Sequence, residues 1–327
     1  MTRTESIYPN DKVIVREVGL RDGLQLVKEW PDISAKKAWL DAEHQAGARH
    51  FEIGSFLPAK GFPQFADIFD VIKHVGKLEH GHSAALALNE RGAEDAISSD
   101  IDEIVCVLSA TEEHSRANMR RSREEALELI GQVCIQRDTF APSKIVNVGI
   151  SMAFGCTIAG EVLPIDVLRL VESAFAAGAD MVGLADTIGY AGPTQIGFLC
   201  KEMARLNTSA PLVIHLHDTR GLGIANAAAA LDSGVRIIDA SLGGLGGCPF
   251  APGATGNIVF EDVIFLCERM GFATNIDIEA LGKARLIAKQ AIPSETFYGN
   301  LQRAGVPKNI TWDGPITELQ TTKKIIS

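Results

Sequence analysis

The chain has 327 residues, 46% of them hydrophobic and 22% charged, a balance typical of a globular protein with a large core. Its formal charge of −10 at pH 7 argues against broad binding to nucleic acid or to an anionic membrane, because either partner would require a basic face. The length permits a single domain over residues 1–327, since α/β barrels reach this size as one unit.

Short β-rich runs alternate with amphipathic helical patterns along the chain, as in a parallel sheet built from βα units. Eight such units predict a (β/α)8 TIM barrel over about 12–272, followed by a C-terminal helical extension over about 273–300 and a polar tail over 301–327. An open doubly wound sheet is the alternative, but no G-x-G-x-x-G follows the first strand. The predicted strands lie at 12–19, 50–56, 83–88, 103–109, 146–154, 181–187, 212–217 and 236–242.

The six cysteines lie far apart and form no C-x-x-C pair, which predicts reduced thiols rather than a disulfide framework. The first residues are polar, and no stretch is apolar over the roughly 18 residues that a membrane span needs. We therefore expect a soluble, cytoplasmic protein.

Polar residues gather where the predicted strands end, which in a TIM barrel is the position of the active site. Because buried charges are costly unless they are paired or bind a ligand, such residues from several strands indicate function rather than packing. They are Glu17, Arg21, Asp22 and Gln25 after the first strand, Glu52 and Ser55 on the second, Asp186 and Thr187 at the end of the sixth, His215, His217 and Asp218 on the seventh, and Cys248 and Asn257 after the eighth.

The stretch "PLVIHLHDTRG" places His215 and His217 on one face of the seventh strand, since side chains alternate along a strand. The pair alone is equally consistent with structural histidines and with a metal site. Asp22 and Asn257 complete a set of oxygen and nitrogen ligands that suits Mg²⁺ or Mn²⁺. Zinc would compete if Cys248 were a ligand, but the other groups suffice and the thiol is better suited to act as an acid.

Five stretches of the sequence carry recognisable motifs: "VREVGLRDGLQ", "HFEIGSF", "ADTIG", "HLHDTRG" and "SLGGLGGCPFAPGATGN". Together they resemble the 3-hydroxy-3-methylglutaryl-CoA lyase family, and the likeness extends from about residue 13 to 290. The cysteine-containing glycine loop is the most specific of them, because "GLGGCP" distinguishes these lyases from synthase and aldolase relatives that share the barrel, the "RDG" and the H-x-H.

The resemblance implies a role for each matching residue. The divalent cation would be held by Asp22, His215, His217 and Asn257. Arg21 would stabilise the enolate, Cys248 would transfer a proton from a mobile loop, Glu52 and Asp186 would be acids needed for activity, Glu17 would lie near the arginine, and Arg21, Gln25, Ser55 and Thr187 would contact the substrate.

The reaction implied by the resemblance is a retro-Claisen cleavage of an acyl-CoA substrate. A base, His215 or Asp186, would remove the proton of a tertiary alcohol, and the adjacent carbon–carbon bond would break. The products would be a keto acid such as acetoacetate and acetyl-CoA, whose enolate is held by Arg21 and protonated by Cys248. The resemblance also implies a homodimer.

The chain departs from the family pattern at rim positions, and these departures leave the acyl group open. Leu26 and Val27 replace an Asn-Glu pair, and Gly61 replaces a tryptophan. The basic run at 116–124 either meets the phosphates of coenzyme A or is a solvated helix start. A synthase of the 2-isopropylmalate type, a pyruvate aldolase and a barrel that only binds a partner are the alternative functions.

Overall fold

The computed structural model describes residues 2–9, 11–206, 209–246 and 256–308. Within these ranges eight parallel strands close into one barrel in chain order, with the helices outside it. The TIM barrel predicted from the sequence is confirmed. The strands are β1 (Ile14–Glu17), β2 (His50–Ser55), β3 (His82–Leu86), β4 (Glu103–Ser109), β5 (Ile145–Ser151), β6 (Met181–Asp186), β7 (Leu212–Leu216) and β8 (Ile237–Ala240).

The helices cover the outer face of the barrel, and several begin at side chains that accept from a backbone N–H of their first turn, such as Asp32, Asn89 and Asp277. They are α1 (Ile33–Gln45), α2 (Ile68–Val75), α3 (Glu90–Ser98), α4 (Glu112–Met119), α5 (Arg123–Phe140), α6 (Pro164–Ala176), α7 (Pro193–Leu206), α8 (Gly223–Asp232), α9 (Phe260–Arg269), α10 (Ile278–Ala291) and α11 (Asn300–Ala304). No helix of the described residues is both long and apolar enough to cross a bilayer.

The C-terminal extension contains α10, which packs on α1 and so lies outside the barrel, as the sequence suggested. Helix α11 reaches into the stretch that we expected to be a polar tail, because Leu301 is buried. Strand β5 is shorter than predicted, since Met152 has a φ of +57° and turns the chain out of the sheet.

Inward-pointing side chains form layers within the barrel. At the amino-terminal end of the strands the layer is apolar and is closed by Tyr8. The next layer is charged: Arg16, only 2% exposed, donates to both oxygens of Asp239 at 2.7 and 3.1 Å and to Glu103 at 2.5 Å. Above this layer the barrel interior is open, so the charged layer forms the floor of a cavity.

Candidate active site

A cavity of about 600 Å³ opens at the carboxyl ends of the strands. Another cavity, of about 320 Å³, lies at the opposite end of the barrel, where Lys12 and Arg236 are the charged residues among its described lining. The larger cavity is the candidate active site, because most of the predicted site residues face it. These are Arg21, Asp22, Gln25, Glu52, Ser55, Thr187, His215 and His217.

One turn of π-helix directly after β1, Gly19–Gly23, presents both Arg21 and Asp22 to the cavity. The carbonyl of Val18 accepts from the backbone N–H groups of residues 21, 22 and 23 at 2.8–3.2 Å. A Cβ on Gly19 would lie 2.5 Å from a carboxylate oxygen of Glu17 and 3.0 Å from the ring of Trp39, so glycine avoids displacing these two side chains. Such isolated π turns are common at functional sites.

Asp22, His215 and His217 form a compact group, which we call the candidate metal cluster. The Nε2 atoms of the two histidines lie 3.1 Å apart, and Asp22 Oδ2 lies 3.6 Å from that of His217 and 4.0 Å from that of His215. Three ligand atoms that a divalent cation holds at about 2.0–2.2 Å fall into this range of mutual distances. The cluster therefore has the donor types and the size of a cation site.

Asn257, the predicted fourth ligand, lies next to this cluster and pairs with His217 in an isolated β-bridge. Its Nδ2 donates to Asp22 Oδ2 at 2.7 Å and to the carbonyl of Leu245 at 2.9 Å. Its Oδ1 is buried and has no hydrogen-bond partner among the described residues. A buried acceptor without a partner is costly, and a cation is one group that would satisfy it.

His215 is oriented by a carboxylate on the neighbouring strand, Asp239. Because a carboxylate only accepts, Nδ1 of His215 donates to Asp239 Oδ2 at 3.2 Å, which leaves Nε2 facing the cluster. Burial lowers the pKa of His215, but Asp239 and Asp22 outweigh it and the pKa is raised. Burial opposes ionisation of Asp239 too, yet the charge of Arg16 brings its pKa down to about 2.

Arg21 sits between two carboxylates at the cavity wall. Its Nη1 donates to Asp22 Oδ1 at 2.6 Å and to the side chain of Gln25 at 3.3 Å. Its Nε forms an ion pair with Glu52 Oε2 at 2.8 Å that does not have hydrogen-bond geometry. Burial would raise the pKa of Asp22, but the Arg21 guanidinium and the two histidines hold it well below its usual range. Asp22 is thus ionised, as a cation ligand must be.

Glu52 has neither carboxylate oxygen in a hydrogen bond within the described part of the chain, although it is only 1% exposed. Burial raises its pKa, and the nearby charge of Arg21 offsets this only in part. A buried carboxyl group with a raised pKa at a cavity, held by an ion pair with Arg21, is suited to proton transfer.

Asp186 is placed differently from the other predicted acids. It is not among the residues that line the cavity, and its two oxygens accept from the backbone N–H groups of Tyr190 and Ala191 at 2.8 and 3.1 Å. Burial raises its pKa. Ser55 and Thr187 do face the cavity; Ser55 donates to the carbonyl of Leu86, and Thr187 accepts from the backbone of Met152.

Cys248 lies outside the described residues. The described residues on either side of its segment, Gly246 and Gly256, are close to the candidate metal cluster: a Cβ on Gly246 would lie 3.3 Å from Asp22 Oδ2. Of the basic run at 116–124, Arg120 and Arg121 line the cavity, and Arg121 pairs with Glu90 at 2.7 Å.

Asp239, Arg16 and Asn147 line the cavity floor and were not predicted as site residues. The alternation within β8 contained the signal for Asp239, since Ile237, Asp239 and Ser241 share one face of "RIIDASL". Arg16 and Glu103 are 87 residues apart, so no local pattern could reveal their ion pair.

Comparisons with known proteins agree with this architecture. The family model described as HMGL-like matches residues 12–287. Hydroxymethylglutaryl-CoA lyase YngG of Bacillus subtilis is 36% identical over 295 residues, 90% of this chain and 98% of that protein. The (R)-citramalyl-CoA lyase of Chloroflexus aurantiacus is 36% identical over 83% of this chain and 88% of its own length.

Solved structures give the same result. An HMG-CoA lyase from Acinetobacter baumannii, in complex with coenzyme A and 3-methylmalate, aligns with a TM-score of 0.84 and 32% identity over 97% of this chain and all of that one. The HMG-CoA lyase of Bacillus subtilis aligns with a TM-score of 0.83 and 34% identity over 90% of this chain and 98% of that one.

Fold and site together define a TIM-barrel enzyme with a candidate cation site at the mouth of the barrel. The chain belongs to the HMG-CoA lyase family and is a carbon–carbon lyase.

Proposed function

We propose that this protein is a divalent-metal-dependent acyl-CoA lyase that cleaves 3-hydroxy-3-methylglutaryl-CoA, or a close 3-hydroxyacyl-CoA analogue, to acetyl-CoA and a keto acid. The observation that carries the proposal is the convergence of three ligand atoms within 4.0 Å beside the Arg21–Glu52 pair. Relatives named as HMG-CoA lyases and as a citramalyl-CoA lyase support an acyl-CoA substrate. The acyl groups in these names differ, so the names do not select one of them.

Asp22, His215, His217 and Asn257 would hold the cation, and either Mg²⁺ or Mn²⁺ suits this set of oxygen and nitrogen donors. When bound there, a divalent cation supplies Lewis-acid polarisation of the substrate hydroxyl and so lowers its pKa.

Glu52 is the group best placed to accept the hydroxyl proton. Both ring nitrogens of His215 are engaged when it serves as a ligand, because Nδ1 donates to Asp239 and Nε2 faces the cluster. The oxygens of Asp186 accept backbone N–H groups and do not line the cavity, whereas Glu52 lines the cavity and has only its ion pair with Arg21 in the described structure. We therefore assign the base role to Glu52 ahead of the two predicted bases.

The remaining steps follow from the charge that develops in the substrate. As the hydroxyl proton leaves, a carbonyl forms at C3, the C2–C3 bond breaks and its electron pair passes to C2 as the enolate of acetyl-CoA. The guanidinium of Arg21 stabilises the enolate oxygen, since it is permanently charged and its donors are fixed in direction. Cys248 remains our predicted donor of the proton that converts the enolate to acetyl-CoA.

The test is acetyl-CoA release from 3-hydroxy-3-methylglutaryl-CoA and from (R)-citramalyl-CoA, with Mg²⁺ or Mn²⁺ and then with chelator. We expect cleavage of at least one substrate and its loss with the metal. Arg21→Met should lower kcat by about 10²-fold or more, as removal of an oxyanion stabiliser does elsewhere, while His80→Gln, a change of an exposed histidine far from the cavity, should have no effect. If metal-loaded protein cleaves neither substrate, the proposal is wrong.

Homodimer formation and a cytoplasmic location stay predictions from the sequence. The synthase and aldolase alternatives have less support, because the relatives reported above are named as lyases.

A further inference from the structure

The cavity has an unusually open wall at one inward position of β5, Gly149. Inward positions of a TIM barrel are normally filled by bulky branched residues. Gly149 pairs with Val107 of β4 in the regular ladder, and a Cβ added to it would meet only the carbonyl of Cys106, at an ordinary contact distance of 3.8 Å. A glycine here is required neither by the backbone conformation nor by close packing, so its effect is to leave space in the cavity.

Gly183, on the neighbouring strand, provides the contrast. A Cβ added to Gly183 would lie 3.1 Å from the Cβ of Val213, so that glycine allows two strands to pack closely. Both glycines line the cavity, but Gly183 has a packing reason, whereas no side chain occupies the space beside Gly149.

An apolar wall stands next to this space. Leu86 and Leu88 at the end of β3 and Val105 and Val107 on β4 all line the cavity. They form a small apolar cluster that is separate from the main hydrophobic core. Each of Leu86 and Val105 retains 6% of its surface, and that surface faces the cavity rather than another layer of the core. Burial of a ligand's alkyl group against such a wall makes the free energy of binding more favourable.

The polar half of the cavity lies across the barrel from this wall. In a closed barrel of eight strands β3 is opposite β7, which carries His215 and is directly followed by His217. A substrate whose C3 hydroxyl points to the candidate metal cluster must direct another C3 substituent away from it, toward β3, β4 and β5.

We infer that Leu86, Leu88, Val105, Val107 and Gly149 form a subsite for the alkyl substituent at C3 of the acyl group, and that it takes substituents longer than methyl. This inference rests on the proposed lyase function. The bonds that change are the same: C2–C3 breaks, the hydroxyl proton goes to the base, and C2 of the acetyl-CoA enolate takes up a proton. The keto acid that leaves carries the longer alkyl group on its ketone carbon.

The test compares 3-hydroxyglutaryl-CoA substrates with methyl, n-butyl and n-hexyl groups at C3. For the wild-type protein we expect kcat/KM for the butyl substrate to equal or exceed that for the methyl substrate. Gly149→Val should lower the ratio of butyl to methyl kcat/KM by about tenfold or more, because contacts with even one methylene in an apolar pocket are worth that much. Val107→Phe, which fills the same space from the paired position on β4, is the second variant and should shift the ratio in the same direction.

The control is Gly131→Ala on α5, where an added Cβ meets nothing within 4 Å and lies outside the barrel. This variant should keep the wild-type ratio. A measurement without turnover uses 3-methylglutaryl-CoA and 3-butylglutaryl-CoA, which lack the hydroxyl group. Calorimetry should show tighter binding of the butyl analogue to the wild type and loss of that preference in Gly149→Val.

The outcomes separate the two proposals. Cleavage of the methyl substrate with a butyl rate at least a hundredfold lower would leave the lyase function intact and overturn the subsite. An equal loss for both substrates in Gly149→Val and in Val107→Phe, with both variants folded by circular dichroism, would also overturn it. Cleavage of no substrate by the wild type would contradict the lyase function and the subsite together.

Discussion

His215 depends on a hydrogen-bonded chain that crosses the barrel. Asp239 accepts from Nδ1 of His215, and Arg16 donates to both oxygens of Asp239. Arg16 also donates to Glu103. The hydroxyl group of Tyr8 donates to the other oxygen of Glu103 at 2.5 Å. This series of hydrogen bonds thus runs from the closed bottom of the barrel to the candidate metal cluster. The orientation of the His215 ring is therefore fixed by residues far from the mouth of the barrel.

Asp239→Asn tests this chain at the scale of one residue. The amide keeps the size of the side chain, but it removes the negative charge that both His215 and Arg16 require. We expect Mn²⁺ affinity to fall by about 10–100-fold, as for other partners of ligating histidines, measured by calorimetry or by electron paramagnetic resonance of free Mn²⁺.

Asp102→Asn is the matched control for this variant. Asp102 accepts from the backbone N–H and the hydroxyl of Ser83 at the opposite end of the barrel, and it does not line the cavity. The Asp102→Asn variant should retain the wild-type affinity for Mn²⁺. Equal affinity in Asp239→Asn and the wild type would show that Asp239 does not orient the ligand.

Single residues of the candidate site were predictable where strand alternation and chain position carry the information. His215 lies on β7 and His217 directly after it, two residues apart, and Asp22 follows β1, so the barrel brings them together. Arg16 was not predicted, because a charged residue within an apolar strand does not indicate its partner. Asp186 has a local role that the sequence does not reveal, since acceptance from two backbone N–H groups depends on the turn that follows β6.

Two short elements at the mouth are joined by one buried acid, Glu17. Its Oε1 accepts from the N–H of Gly19 at 2.9 Å and from the N–H of Leu242 at 3.0 Å. The first donor belongs to the π turn that carries Arg21, and the second begins the 3-10 turn Leu242–Gly244. Burial raises the pKa of Glu17 to about 8, although the two backbone donors oppose this shift.

The free energy of unfolding should therefore depend on the protonation of Glu17. An unfolded glutamate titrates near its ordinary pKa, so between about pH 4.5 and 8 the folded protein binds a proton that the unfolded chain has released. The titration of Glu17 lowers the free energy of unfolding as pH rises through this window, by up to about 1.4 kcal/mol per pH unit. Glu17→Gln removes this titration while it keeps an acceptor for both N–H groups, and should flatten the decline.

Urea denaturation of the metal-free protein at pH 5, 6, 7 and 8 measures this effect. Burial also raises the pKa of Glu43, Glu52 and Glu261, and it lowers the pKa of His50, His82 and His114, which gives the opposite pH dependence. The prediction is therefore a difference: the slope should be less negative in Glu17→Gln than in the wild type. Glu79→Gln, a change of a side chain that is 85% exposed, should keep the wild-type slope. Parallel curves for Glu17→Gln and the wild type would mean that Glu17 does not titrate in this range.

At the scale of the elements, the sequence predicted the number and order of strands well but their ends less well. The alternation of apolar runs with capped helices places each strand of the barrel within a few residues. The end of β5 was missed, because the positive φ of Met152 depends on the local turn and not on an apolar pattern. The π turn after β1 was missed as well, since "GLRDG" has no signature that separates it from an ordinary loop.

The closure of the whole barrel follows from the count of eight strands. Closure brings the first and the last βα units next to each other. β1 pairs with β8, and Asn257, which follows β8, donates to Asp22, which follows β1. The open interior was not predictable in the same way. It depends on the missing side chain at Gly149 and on the position of this residue on the inner side of the barrel. The second condition is known only when the register of the strands is known.

A cation in the candidate metal cluster should stabilise the entire molecule, because its ligands come from the β1 turn, from β7 and from the segment after β8. Binding to the folded state alone adds about 2.7 kcal/mol when the free metal is a hundred times the Kd. We expect the Tm in scanning calorimetry to rise by a few degrees with Mn²⁺, to rise less with Mg²⁺, which favours oxygen ligands over imidazole, and to return with EDTA.

His217→Asn should abolish this rise whatever its own Tm in the absence of metal, whereas His80→Gln should keep it, since His80 is 81% exposed and remote from the cluster. The comparison within each variant, with and without metal, removes any effect of the substitution on the apoprotein. A Tm of the wild type that does not respond to Mn²⁺, Mg²⁺ or EDTA would contradict a cation site at Asp22, His215 and His217. A rise that persists in His217→Asn would locate the bound metal elsewhere in the molecule.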